Sequence, residues 1–250
     1  MHCRLATNAR FYEIQGALER RMSYMIGDAK GASSRHVFVT GGTGYIGSRV
    51  IPALVSRGHH VRALVRPGSV SRLPPGCTPV VGDALDATTF SNHVEGCDTF
   101  LQLVGTPHPS PSKAAEFERV DFGSARESVR AAEDASISHF IYLSVAPSAS
   151  VMRAYVDVRM RGEALVRQFT SGNGRSATIV RPWYVLGPGH RWPYVLLPLY
   201  WIMGAIPSTR DRARELGLVT IAQMVRTLVR CVEAPPNGER IVSVPEIRRA

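Results

Sequence analysis

The sequence predicts an α/β protein, a parallel doubly wound sheet with a small C-terminal cap. Three observations predict it. A short apolar run, His36-Val-Phe-Val-Thr40, leads into glycines spaced Gly41-x-x-Gly44-x-x-Gly47 and then into an apolar-periodic segment. Strand, glycine turn and helix therefore follow in the order that a dinucleotide-binding loop requires. Apolar runs then alternate with helix-period segments at the spacing of βαβ units. Finally, the run from Cys97 to Gly105 is almost continuously apolar, as in a strand covered on both faces.

At 250 residues the chain suits one domain and can bury a full core. The formal net charge of +10 is carried by arginine, since Lys30 and Lys113 are the only lysines. Such a balance favours acidic ligands, anionic lipid surfaces or nucleic acid. Without aromatic–basic interleaving or a recognition-helix signature, nucleic-acid binding is not expected. Cys3, Cys77, Cys97 and Cys231 lie far apart and read as reduced cysteines of a cytoplasmic protein. His108 and His139 have no partners at ligand spacing, so no metal is expected.

Residues 1–35 lack the long apolar core of a secretory signal and are expected to form a disordered N-terminal extension, with a short helix near Phe11 to Met25. Residues 36–250 form the dinucleotide-binding domain, with 183–250 contributing the cap. In the loop, Gly41 allows the tight turn, Gly44 lets backbone approach a pyrophosphate, and Gly47 lets the helix pack on the strand. Thr43, Tyr45 and Ile46 complete the cradle, and the positive end of the helix faces the diphosphate. Gly58 ends that helix, and the run from His59 to Arg66 is the second strand. No acidic residue stands at its end to bind a ribose hydroxyl. Arg66 stands there instead, with Arg62 and Arg72 nearby, and a guanidinium can hold a 2′-phosphate through a bidentate fork. NADP(H) is therefore expected over NAD(H).

The third strand ends at Asp83-Ala84, and Asp86 is placed to cap a helix over Ala87 to Gly96. A fourth strand reaches Val104-Gly105, followed by a proline-rich loop, Thr106-Pro-His-Pro-Ser-Pro-Ser112, and a long helix from Lys113. The fifth strand ends near Ser144, and a sixth ends at Arg181-Pro182 before Gly187-Pro-Gly189. From Trp192 to Pro207 the chain carries no charge, yet it is shorter than the roughly 20 apolar residues that span a bilayer. This stretch is read as a buried or lid-like helix, or as an apolar surface that receives a lipid, quinone or isoprenoid, or rests on a membrane. Arginines at 191, 210, 212 and 214 could then meet anionic headgroups. A short strand, an amphipathic helix, a last strand and a basic tail complete the chain.

Thr40-Gly-Gly-Thr-Gly-Tyr-Ile-Gly47 resembles the cofactor loop of the short-chain dehydrogenase/reductase superfamily, in its extended and atypical types. These include NmrA-like proteins and sugar-nucleotide epimerases, and the similarity runs from about His36 to the C-terminus. The resemblance implies that Asp83 accepts from the adenine amino group and that Ala84 packs beside the ring. It implies that the Val104-Gly105 bend lets the diphosphate and nicotinamide ribose pass. Pro182, with Trp183 and Tyr184, would border the nicotinamide and the substrate mouth. It also implies a catalytic Tyr-x-x-x-Lys pair preceded by a hydroxyl. This chain has Tyr155-Val-Asp-Val-Arg159, with Tyr155 eleven residues after Ser144. Tyr155 is in place, but Arg159 replaces the lysine and cannot readily shed a proton. Relatives often place the hydroxyl one or two positions later, where Val145 and Ala146 stand.

The resulting expectation is an NADP(H)-dependent oxidoreductase or isomerase acting on a small apolar carbonyl compound through Tyr155, Ser144 and Arg159. The alternative is a dinucleotide-binding sensor or accessory factor without turnover, like NmrA or the accessory subunit of respiratory complex I. The superfamily further suggests a homodimer.

Overall fold

The computed structural model describes residues 33–147, 152–172, 174–188 and 217–250. The strands are β1 (His36–Thr40), β2 (His60–Val65), β3 (Thr78–Val81), β4 (Thr99–Gln102), β5 (His139–Leu143), β6 (Ser176–Val180), β7 (Val185–Leu186), β8 (Val219–Thr220) and β9 (Glu239–Val242). The main helices are α1 (Gly47–Ser56), α2 (Gly123–Asp134), α3 (Arg153–Thr170), α4 (Ile221–Glu233) and α5 (Val244–Arg248). Seven strands form one parallel sheet in the order β3-β2-β1-β4-β5-β6-β9, and β7 and β8 form a small parallel pair.

Strand residues alternate between faces, and both faces are covered. Val37 and Val39 belong to one core with Val50, Ile51 and Leu54 of α1 and Met224 and Leu228 of α4. Phe38 points the other way, into a core with Phe100, Phe140 and Tyr142, Val129 of α2, and Val166 and Phe169 of α3. Phe100 and Phe140 stack across β4 and β5 with ring centroids 5.1 Å apart. Two-sided burial is why these strands lack an apolar–polar alternation.

The chain steps outward from β1 to β3 and then returns to β4 on the other side of β1. Such a reversal opens a crevice at the carboxyl ends of β1 and β4, where open α/β sheets bind ligands.

Three local features differ from expectation. Between Asp86 and Gly96 the chain forms two 3₁₀ turns, Ala87–Thr89 and Ser91–His93, instead of a helix. Asp86 does cap the first, accepting from the Thr88 amide at 3.0 Å. With Phe90 buried between the turns and Gly96 already at φ +76°, the segment has no room for a longer helix. The long helix expected from Lys113 opens with one turn, Ala114–Glu116, then a π-helical stretch, Phe117–Phe122, before α2. The C-terminal tail is helical, because Ser243 and Glu246 form a capping box at the start of α5. Within residues 183–250, β9 joins the main sheet beside β6.

Candidate active site

Two cavities open on the crevice. One, of about 540 Å³, lies toward β2 and β3 and is lined by Gly41, Thr43, Gly44, Arg66, Asp83, Ala84, Val104 and Gly105, among others. The other, of about 500 Å³, lies toward β5 and β6; Gly41, Gly44, Tyr45, Ile46, Gly47, Gly105, Ser144, Tyr155, Arg159 and Pro182 line it. Gly41, Gly44, Leu103, Gly105 and Pro107 line both, so the two form one cleft across the glycine loop.

The loop geometry follows from its glycines. Gly41 has φ +75°, and a Cβ there would lie 2.8 Å from the Leu103 carbonyl carbon. A Cβ on Gly47 would overlap the Gly41 carbonyl oxygen, so helix and turn can pack only with glycine at that position. Ile46, at the start of α1, provides no side-chain cap, and the first turn holds no acidic residue. The amides and positive dipole end of α1 thus open onto the cleft without a competing anion, which fits a diphosphate.

At the β2 end, Arg66, Arg72 and Arg119 line the cavity together with Asp83 and Glu116. Arg62 is directed elsewhere, donating to the carbonyls of His93 and Glu95 at 2.8 and 2.7 Å. The Asp83 carboxylate accepts from the Leu85 amide at 3.0 Å, which fixes it at the rim.

At the β5 end, Tyr155 stands in the first turn of α3, half-buried, with its ring edge-on to Phe117 at 5.0 Å. One helical turn on, Arg159 is 3 % exposed. Its Nη2 lies 2.6 Å from Asp121 Oδ1, its Nη1 donates to the Leu143 carbonyl at 2.8 Å, and its guanidinium carbon is 5.3 Å from the Tyr155 ring centre. Burial works against the guanidinium charge, but Tyr155, Tyr142 and Asp121 outweigh it and hold the Arg159 pKa above the ordinary value. The Tyr142 phenol, fully buried beside it, is pushed up to about 12 by desolvation. Asp121 also accepts from the Thr106 amide at 3.1 Å and the Thr106 hydroxyl at 2.6 Å. A Cβ on Gly105 would collide with Arg159 Nη2, so the small residue in the Val104-Gly105 bend makes room for the arginine as well as for the cleft.

Ser144 Oγ donates to Glu163 Oε1 at 2.6 Å. Glu163 is completely buried and also takes Arg181 Nε at 2.8 Å and Arg167 Nη2 at 3.1 Å. The Ser144 proton is therefore committed to an internal carboxylate.

Residues 41–190 match the NAD(P)H-binding family. The chain belongs to that family. Its parallel sheet shares the α/β fold of its solved structural neighbours. It is 28% identical over 226 residues to a 4-hydroxy-2-methyl-3-oxo-4-farnesyl-3,4-dihydroquinoline-1-oxide ketoreductase of Stigmatella aurantiaca, over 81% of this chain and 66% of that protein. It is 26% identical over 227 residues to a ceramide reductase of Caulobacter vibrioides, covering 90% of this chain and 68% of the relative. Among solved structures, the Bordetella bronchiseptica enzyme WbmH in complex with NAD+ superposes with a TM-score of 0.61 at 18% identity, over 84% of this chain and 75% of that one.

As a member of the NAD(P)H-binding family, the chain brings residues to its cleft that sequence reasoning missed. Arg119, Asp121 and Phe117 all come from the π-helical stretch, which turns Arg119 toward the β2-end cavity, Asp121 onto Arg159 and Phe117 onto Tyr155. Helical periodicity of 3.6 does not anticipate where a π turn sends its side chains. Glu163 carried a readable signal: it lies four residues beyond Arg159, on the same face of α3. Burial raises the thiol pKa values of Cys77, Cys97 and Cys231, the last to about 11. Among the described residues, no group of three His, Cys, Asp or Glu is placed to hold a metal ion, and no helix is long and apolar enough to cross a membrane. Residues 192–207, and the arginines at 191, 210, 212 and 214, lie outside the described residues.

Proposed function

We propose that this chain is an NADP(H)-dependent oxidoreductase or isomerase acting on the carbonyl or carbinol group of an apolar small molecule. The observation that carries this reading is Tyr155, lining a cavity that is continuous with the dinucleotide cleft and walled by Leu143, Val145, Met152, Pro182 and Trp183. The names of the quinoline-oxide and ceramide relatives, both reductases of largely apolar compounds, support the substrate class. Arg66, Arg72 and Arg119 at the far end support a 2′-phosphate, because three guanidiniums face only two carboxylates there.

The nicotinamide, when bound, supplies or accepts the hydride. The side chains divide the remaining work. In reduction the Tyr155 hydroxyl gives its proton to the carbonyl oxygen, and nearby Arg159 stabilises the resulting phenolate electrostatically. Arg159 does so while keeping its own proton and its bond to Asp121. Ser144, with its proton on Glu163, presents lone pairs, and so it is suited to accept from a carbinol hydroxyl.

The engagement of Arg159 with Asp121 and of Ser144 with Glu163 also favours a second reading, a dinucleotide-binding sensor or accessory factor without turnover. One experiment separates the two. NADPH consumption is followed with a panel of apolar ketones and quinones, using wild type and Tyr155→Phe. Steady turnover that is lost in the variant supports the enzyme. Tight NADP(H) binding by calorimetry without any turnover supports the sensor.

A further inference from the structure

The loop after β4 contains a conformation that its sequence disfavours. His108 has φ +49°, one of two non-glycine residues with positive φ among the described residues. It also precedes Pro109, and a residue before proline is normally held in the extended region. A left-handed backbone at such a residue costs free energy and persists only where its surroundings impose it.

The surroundings impose it from both sides. Thr106 is tied by its amide and its hydroxyl to buried Asp121, at 3.1 and 2.6 Å. Lys113, one of the chain's two lysines, donates to the Pro107 carbonyl at 2.8 Å. Pro107 and Pro109 stiffen the turn between these anchors. The whole turn, Pro107-His108-Pro109, lines the same cavity as Tyr155, Ser144 and Arg159. Asp121 holds both the loop, through Thr106, and the guanidinium of Arg159, so the two are positioned by one carboxylate.

Imidazole readily both gives and takes a proton near neutral pH. Arginine does not, and Arg159 therefore cannot return a proton to Tyr155 after it has protonated a substrate. Resting on the oxidoreductase reading above, we propose that His108 is a catalytic residue that reloads Tyr155. In the reducing direction the hydride's electron pair forms the new C–H bond, and the carbonyl π pair moves to oxygen. That oxygen takes the Tyr155 proton, the phenolate takes a proton from the His108 imidazolium, and the neutral imidazole takes one from water. Every proton in this sequence originates in solvent, and no reductant beyond the dihydronicotinamide is needed.

The test uses phenanthrenequinone, an apolar aromatic diketone, with NADPH as reductant, on the full chain and two variants. His108→Asn tolerates a left-handed backbone and keeps a hydrogen-bonding side chain, so it folds without exchanging protons. His108→Ala leaves space for free imidazole. Turnover falls roughly 100-fold in both variants, NADP(H) affinity stays within about twofold of wild type, and added imidazole restores His108→Ala but not His108→Asn. Independently of turnover, the His108 Cε1–H resonance, assigned by its loss in His108→Asn, shifts when NADP+ and the quinone are bound together. Turnover of His108→Asn equal to wild type, absence of imidazole rescue, or an unmoved resonance each overturns the proposal. A shifted resonance in a wild type that turns nothing over would instead sink the oxidoreductase reading while leaving His108 in contact with the ligand.

Discussion

Asp121→Asn tests the electrostatic centre of the site. Asp121 has no exposed surface and the Arg159 side chain is 4% exposed, so the substitution strands a buried guanidinium among carbonyls and tyrosine rings. Removing one partner of a buried pair costs about 3–5 kcal/mol, because the remaining charge is left desolvated and uncompensated. The asparagine can still accept one bond from Thr106, which places the expected loss toward the lower figure. In a protein of this size each kcal/mol moves the melting temperature by about 2–4 °C, so Asp121→Asn should melt roughly 6–12 °C below wild type. The double variant Asp121→Asn with Arg159→Met, which strands no charge and keeps an acceptor for Thr106, should recover most of that loss. Differential scanning calorimetry at pH 7 reads both. If Asp121→Asn melts within about 2 °C of wild type, the carboxylate does not hold Arg159 in place, and the carbonyls of Leu143 and Val104 must position the guanidinium instead.

Other substitutions probe separate parts of the molecule. His139 is buried, with a ring nitrogen 3.0 Å from the Thr178 hydroxyl, and desolvation, aided by Arg35, lowers its pKa to about 4. It is neutral when folded and charges on unfolding, so its contribution is complete above about pH 6.5 and is lost as pH falls from there through 4. This amounts to about 3 kcal/mol of acid destabilisation, most of which His139→Gln should remove from urea titrations at pH 4.5 compared with pH 7.5. Gly162→Ala should destabilise by about 1–3 kcal/mol, since the new methyl collides with the Tyr142 hydroxyl. Adding Tyr142→Phe should recover only part of that loss in denaturant titrations, because the ring carbon Cζ would still lie 2.8 Å from the new methyl. Arg119→Ala should weaken NADP(H) binding roughly 10-fold or more while leaving NAD(H) affinity nearly unchanged in calorimetry, as expected for one charge-assisted contact to a phosphate. Equal weakening of both dinucleotides would place Arg119 elsewhere on the cofactor.

Local features were readable from the sequence, and contacts between distant segments were not. The glycine loop announced itself because turn, close approach and helix packing all act within a few residues, and each demands glycine. Strands buried on both faces were equally plain as apolar runs. Arg159 was recognised as standing in place of a lysine, yet nothing near it pointed to Asp121, which lies 38 residues earlier on a π turn. The basic lining at the β2 end was half visible. Arg66 and Arg72 lie just past the end of β2 and in the turn that follows it, whereas Arg119 comes from the π-helical stretch Phe117–Phe122. Arg62 shows the opposite case, a nearby arginine whose donors are satisfied by carbonyls at the far end of β2.

The position of β9 bears on how the chain assembles during synthesis. Strands β1 to β6 are all translated by Val180, but β9, which pairs with β6, emerges only with residues 239–242. Until then the Ser176–Val180 strand, buried along its whole length in the finished sheet, has an open hydrogen-bonding edge. A nascent chain therefore carries a sheet with the β6 edge open for about sixty codons, a period in which pairing with a neighbouring chain competes with pairing to β9. Slow translation over that interval should lower the soluble yield without altering the stability of the molecules that complete the sheet.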